Sequence, residues 1–486
     1  MIDVLIVGCG VIGASIAYEL ARTKAGVAVV EKENDVCCGA SKANSAVVHA
    51  GYDPLPGTLM AKYNAWGSRL MPALCARLDV AYRPNGSLVV AFTNEGKPKL
   101  EALIARGEIN GVPGLRLIDG DTARGLEPNL SPEVAWALEV PGGAITDPWE
   151  LTVALAEVAA LGGVDIRTGT EVLGIDCAKD HYVAHTNRGE IAARFVVNAA
   201  GVFSDTIHNM VAEPAFAITP VRGEYLLLDK DQGALVQRAI FQLPTEAGKG
   251  VLVLPTVHGN LLVGPTSDRV EGRGDVSTTA GGMARVRELA AKTVPSVNYQ
   301  SVIRDFAGLR AATLSGHDFV IGFPPGHPRF LDVAAIQSPG LTSAPAIAVD
   351  AVRLLREAGL EAAEDPAFVD ARRRIRFGGL SVRDKNALIA KDARYGRVVC
   401  RCEGVTEGEI VAAIHRPVGP RSLDAVKRRC GAGLGRCQGG FCGPRVLEIL
   451  ARECGMDATR IPQDRAGSFL LTGRTKGSCD GCDRYV

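Results

Sequence analysis

The sequence predicts a multidomain chain that opens as an α/β unit, continues through a mixed antiparallel sheet and ends in a small, helical, cysteine-rich domain. Three observations predict it. A glycine-bearing strand, turn, helix and second strand lie at the N-terminus in "DVLIVGCGVIGASIAYELARTKAGVAVVEKE". Alternating apolar stretches broken by Gly, Pro and Asn run from "TPVRGEYLLLD" to "GVLVLPTVHGNLLVGPT". Eight of the 13 cysteines fall between Cys400 and Cys482. At 486 residues the chain exceeds a single core, and about 150 residues per domain gives two to four units.

Lys plus Arg equals Asp plus Glu at 54 each, so no net basic field draws the chain to nucleic acid or an anionic membrane. A local site for a small anion stays open. The N-terminus enters an apolar strand without a basic leader, and no run of about 20 apolar residues follows. The expectation is a cytoplasmic protein with reduced thiols and no integral membrane segment.

In the N-terminal unit, a strand over Val4 to Val7 meets a glycine turn, then a helix, then a strand over Val27 to Val30. Gly8 allows the turn, Gly10 lets the backbone approach a pyrophosphate, and Gly13 lets the helix pack close to the strand. The helix N-terminus faces the phosphate charge. Glu31, ending the second strand, is placed to accept from ribose hydroxyls. A dinucleotide site follows, although the motif alone does not separate FAD from NAD.

The next segment, "CCGASKANSAVVHAGYDPLPGTLMAK", lacks the further regular βα unit of a simple dehydrogenase. Here the sequence resembles the D-amino-acid and glycine oxidase superfamily of FAD enzymes. It is most similar to FAD-dependent glycerol-3-phosphate dehydrogenases and L-2-hydroxyglutarate oxidases, whose second glycine-rich segment carries a like Asn/Ser-x-x-x-His-x-Gly run. The resemblance implies FAD, with Ser41, Asn44 and Ser45 lining the diphosphate and flavin and His49 near the isoalloxazine. A hydrogen-bonded structural histidine is the alternative for His49.

"GGAITDPWELTVALAEVAALGG" predicts an amphipathic helix, with Asp147 as N-cap, Pro148 at the first position, Glu150 closing a capping box, and a stop at Gly162 and Gly163. "RFVVNAAGVFSDTI" is similar to the superfamily's second nucleotide-contact strand, which implies cofactor contacts at Ala199 and Gly201. In the antiparallel sheet the resemblance brings Tyr225 towards the substrate and gives Arg222 a positioning role; for both residues an ordinary structural role stays open.

In "FAGLRAATLSGHDFVIG", Arg310 follows small and apolar residues, so its guanidinium is expected to point inward, where it needs an anion. Its planar fork suits a carboxylate or a phosphate. The family reading is the substrate anchor, and a salt bridge to a protein acid is the alternative. "AAIQSPGLTSAPAIAVDAVRLL" resembles the last FAD segment, a turn at Gly340 and a helix whose amides at Leu341 and Thr342 stabilise negative charge on reduced flavin. Flavin contacts so widely spread imply a Rossmann-type FAD-binding domain interleaved with an α+β substrate domain over residues 1–360, the substrate sheet lying mainly in 80–145 and 210–320.

Residues 361–397 read as a wrapping linker, with Arg372, Arg373, Arg374 and Arg376 forming a solvated charged face. Cys400-x-Cys402 then follows, and after 34 residues Cys437-x4-Cys442. Between them Thr406 and Glu409 form a capping box, and Ser422 opens a helix that ends at Gly431. Gly443 and Pro444 start another helix whose first amides point at negative charge. Four thiolates together demand protons or metal. Zinc sites favour Cys-x2–4-Cys pairs, whereas a binuclear iron–sulfur centre accepts pairs of unequal spacing.

The pattern resembles the bacterioferritin-associated-ferredoxin-like (BFD-like) domain, which implies a [2Fe-2S] cluster held by Cys400, Cys402, Cys437 and Cys442 within residues 398–455. Arg401, Arg436 and Arg445 flank these ligands, Cys430 and Cys454 read as buried thiols, and Cys479 and Cys482 in the polar tail 456–486 receive no role. As a whole the chain is similar to the large subunit of anaerobic glycerol-3-phosphate dehydrogenase. That implies a FAD-dependent dehydrogenase acting on a CH–OH group, with Arg310 as anchor, His49 as candidate base and Tyr225 beside the substrate. It also implies an electron-accepting flavoprotein or quinone-linked subunit, through which the protein would sit peripheral to a membrane. Three alternatives stay open: an L-2-hydroxyglutarate dehydrogenase, an amino-acid or imino-acid dehydrogenase, and a non-catalytic iron or redox module.

Overall fold

Four consecutive apolar residues, Val4 to Val7, need cover on both faces, which a central parallel strand receives and an edge strand does not. The computed structural model describes residues 1–243, 250–313 and 318–473. In it β1 (Ile2–Val7) leads through the glycine turn into α1 (Val11–Leu20) and back into β2 (Val27–Glu31). β1 pairs in parallel with β2 on one side (Val4 opposite Val27) and with the strand Gly189–Asn198 on the other (Val4 opposite Phe195). The strand Phe330–Ala334 adds in parallel beyond Gly189–Asn198, within an eight-stranded sheet. Residues far apart in sequence thus complete one sheet.

A second, nine-stranded sheet is built around the antiparallel pair Ile218–Leu228 and Val302–Thr313, with Val221 opposite Arg310. Its apolar face, including Leu226, Leu228, Val253 and Val263, packs on Val286 and Ala290 of the helix Ala280–Thr293. A third sheet has three short strands: β3 (Val47–Val48), β4 (Tyr82–Arg83) and β5 (Ala144–Thr146), with β5 in the middle. Val47 and Arg83 both lie opposite Ile145.

The helix Pro148–Leu161 departs from expectation in two ways. It is buried at every position from Glu150 to Ala159, so it is not amphipathic. Asp147 does cap it, accepting from the amides of Trp149 (2.8 Å) and Glu150 (3.0 Å), but the capping box is not formed. Glu150 instead accepts from Ala81 N at 3.0 Å and pairs with Arg374 at 2.6 Å. Arg372 likewise pairs with buried Glu157 at 2.6 Å. These two arginines therefore do not form the solvated face expected of them, because acids inside a buried helix need cationic partners.

These residues belong to a first compact unit that runs to Arg374; a second begins at Ile375 and includes Glu33–Asp35. In the second unit the strands Val398–Cys400 and Val405–Thr406 precede the helices Glu407–Ile414, Leu423–Cys430 and Gly443–Cys454. Both bonds of the Thr406–Glu409 capping box are present, and Gly431 closes its helix in the left-handed region at φ +81°. Ile410, Val426, Ile449 and Leu450 form the core, which continues to buried Ile461. Asp35 is buried and accepts from Arg428 and Arg429, each at 2.7 Å; burial opposes its charge, but the two guanidinium groups hold it below the usual carboxylate range. Cys479 and Cys482 lie outside the described residues. No described helix is long and apolar enough to cross a membrane.

Candidate functional site

The turn after β1 is shaped for close approach. Gly8 has φ +100°, and a Cβ there would stand 2.6 Å from the carbonyl oxygen of Ala199, while one on Gly13 would overlap the carbonyl of Gly8. Strand, turn, helix and the Asn198–Gly201 segment therefore meet backbone to backbone. At the N-terminus of α1, Val11 N donates to Ser41 Oγ at 2.8 Å, and Gly10 lies beside the same hydroxyl. Glu31 Oε2 accepts from Cys9 N at 2.8 Å, which fixes the carboxylate at the end of β2. A cradle without side chains, a helix N-terminus and a fixed acid at the strand end fit the pyrophosphate and ribose of a dinucleotide.

Asn44 turns its side chain onto its own loop, donating to Ser41 O at 2.9 Å and accepting from Ala46 N at 2.8 Å. Ser45 Oγ lies 3.3 Å from Tyr225 Oη, and Tyr225 is stacked on Phe306 with ring centroids 4.8 Å apart. His49 stands one residue beyond β3. Its amide donates to Thr342 Oγ1 at 2.9 Å, its carbonyl accepts from Asn64 Nδ2 at 2.8 Å, and its Nε2 faces Ser338 Oγ at 3.4 Å. The helix that starts at Gly340, Leu341 and Thr342 thus meets the histidine segment directly. Ser338 and Thr342 Oγ1 were not legible as His49 partners, since nothing in their local sequence points across 289 and 293 residues.

Arg310 is half-buried, and among the described residues its two terminal nitrogens reach only the carbonyl oxygen of Thr266, both at 3.4 Å. Among the described residues no carboxylate pairs with it. Arg222 differs: it is held by Asp275 at 2.6 Å and Glu224 at 3.2 Å. One arginine of this strand pair is held by two carboxylates, and the other, among the described residues, by a carbonyl oxygen.

In the second unit the four cysteines stand as two contact pairs. Cys402 and Cys437 are exposed, with their sulfurs 3.7 Å apart, and Cys400 is hydrogen-bonded to Cys442, both buried. Their partner thiol, then the Gly433 and Glu403 amides, pull the Cys400 thiol down to about 6, and the Phe441 and Gly439 amides lower that of Cys437. Two neighbouring thiol pairs, each beside backbone N–H donors, fit a binuclear, thiolate-held centre. Arg401 lies over the Phe441 ring at 4.8 Å, and Arg445 pairs with Glu448 at 2.7 Å. Cys430 Sγ donates to Val426 O at 3.3 Å, and Cys454 takes a bond from Arg421 at 3.5 Å.

These features define a dinucleotide-dependent oxidoreductase with an iron–sulfur module appended. The model of the FAD dependent oxidoreductase family matches residues 3–354, and that of the BFD-like [2Fe-2S] binding domain matches residues 398–452. The chain belongs to the FAD dependent oxidoreductases and ends in a BFD-like [2Fe-2S] binding domain. It is 47% identical over 477 residues to a glycerol 3-phosphate dehydrogenase of Caloramator mitchellensis, covering 98% of this chain and 99% of that protein. It is 32% identical over 282 residues to the mitochondrial L-2-hydroxyglutarate dehydrogenase of Homo sapiens, 54% of this chain and 60% of that one. Among solved structures, dithionite-reduced L-alpha-glycerophosphate oxidase from Mycoplasma pneumoniae with FAD bound superposes at a TM-score of 0.73, with 34% identity over 76% of this chain and 98% of that one.

Proposed function

We propose that this protein oxidises sn-glycerol 3-phosphate to dihydroxyacetone phosphate and passes the electrons to a protein acceptor, either a flavoprotein or a quinone-linked subunit. When bound, FAD takes two electrons from carbon and the [2Fe-2S] cluster releases them singly. Gly8, Gly10, Gly13, Glu31, Ser41, Asn44, Ser45, Ala199, Gly201 and Gly340 to Thr342 line or shape the FAD site. Cys400, Cys402, Cys437 and Cys442 hold the cluster.

The observation that carries the substrate reading is the Arg310 guanidinium, which meets only a carbonyl among the described residues and so has its charge available for a phosphate. The near full-length similarity to a glycerol 3-phosphate dehydrogenase supports it. Arg310 binds and orients the anionic end. His49, its backbone fixed on both sides and its Nε2 directed to Ser338 Oγ, takes the alcohol proton at that nitrogen. Tyr225, stacked on Phe306 and with its hydroxyl beside Ser45 Oγ, stands next to the substrate. Anaerobic mixing with glycerol 3-phosphate tests the reading: bleaching of the flavin absorbance supports it, and bleaching by L-2-hydroxyglutarate alone replaces the substrate.

A further inference from the structure

Arg83, in β4, is a second arginine whose charge the fold does not answer. Its Nε and Nη2 are buried without a hydrogen-bond partner, and among the described residues no carboxylate pairs with it. Burial alone acts on its ionisation, pulling it below the usual guanidinium range, with no acid in opposition. A guanidinium dry along one edge and unpaired there is destabilising unless an anion answers it. Buried arginines elsewhere in the chain are paired: Arg372 with Glu157, Arg428 and Arg429 with Asp35.

Its register says which way it faces. Arg83, Ile145 and Val47 are directly opposed across the three-stranded sheet, so their side chains share one face, about 10 Å wide at two strand spacings. Val47 and Ile145 pack with Tyr225, and His49 follows Val47 by two residues, the period that keeps the same face. Its Nε–Nη2 edge is buried, which leaves Nη1 as the nitrogen to meet an anion on this face.

We propose that Arg83 is an anion-binding residue of the substrate cavity, holding a phosphate-monoester oxygen on the face that carries His49. The inference rests on the cavity taking an anionic substrate, but its test needs no turnover.

Inorganic phosphate is titrated calorimetrically into the oxidised holoenzyme and into Arg83→Gln and Arg83→Lys, with flavin content and Tm recorded without phosphate. The glutamine variant should keep its flavin, bind phosphate at least tenfold more weakly, and melt no lower than the parent, because a dry charge is gone. Lysine, which keeps the charge without the fork, should recover part of the affinity. Equal phosphate affinity in parent and glutamine variant overturns the proposal, as does a parent with no saturable phosphate binding. Arg83-dependent phosphate binding in a protein that glycerol 3-phosphate fails to reduce would sink the substrate reading and leave this one standing.

Discussion

Thr342 Oγ1 accepts the backbone N–H of His49 at 2.9 Å, across 293 residues of sequence. The same hydroxyl faces Val47 O at 3.4 Å, so one buried threonine ties the start of the helix Gly340–Glu357 to the strand that presents the candidate base. Thr342→Val keeps the shape and removes the acceptor, leaving the half-buried His49 amide unpaired at a cost of at most about 1–3 kcal/mol. We expect a lower Tm and a reduced kcat with flavin retained, and recovery in Thr342→Ser. Parental Tm and kcat in the valine variant would remove the tie from the account.

Arg310→Ala deletes the charge assigned to the substrate anion. A hydrogen bond to a charged group contributes about 1.5–3 kcal/mol, so KM should rise by roughly ten- to a hundredfold while flavin content stays constant. Steady-state kinetics checks this, and an unchanged KM removes Arg310 as the anchor.

Cys437→Ser breaks the exposed thiol pair with Cys402. The purified variant should lose iron and acid-labile sulfide yet still show substrate-driven bleaching of its flavin. A full complement of iron and sulfide would show that the ligand assignment is wrong.

Asp147 and His258 are joined at 2.8 Å, beside Glu150 and Arg374. Burial opposes both charges, but the hydrogen bond between them holds Asp147 below its ordinary range and His258 above its own. The carboxylate's contribution is complete above about pH 3.9 and is lost as pH falls; that of the histidine is complete below about pH 6.5 and is lost as pH rises through its raised folded value. The Tm advantage of the parent over His258→Gln should therefore be larger near about pH 5.5 than near about pH 9. An advantage that does not change between them contradicts the pairing.

What the sequence revealed was local chemistry. The β1–α1–β2 unit was legible because three glycines and a terminal acid have fixed jobs in a few neighbouring residues. The two cysteine pairs and the Thr406–Glu409 box were legible for the same reason. Glu150 was not: its spacing from Asp147 suits a capping box, but Arg374 and the Ala81 amide, distant in sequence, took its carboxylate. Arg372 looked solvated within a charged run, and only the fold supplied buried Glu157. Arg83 belongs to no motif, and its missing counter-charge shows only once its neighbours are placed.

On the proposed function, substrate electrons enter at the flavin and leave through the cysteine-bound cluster. Rapid anaerobic mixing of the holoenzyme with sn-glycerol 3-phosphate, following flavin absorbance and the paramagnetic signal of the reduced cluster together, tests it most directly. The flavin should bleach at a rate compatible with turnover and the cluster signal should then appear, with that signal absent in Cys437→Ser. A flavin left oxidised by glycerol 3-phosphate, or a cluster that stays silent while the flavin bleaches, would contradict it.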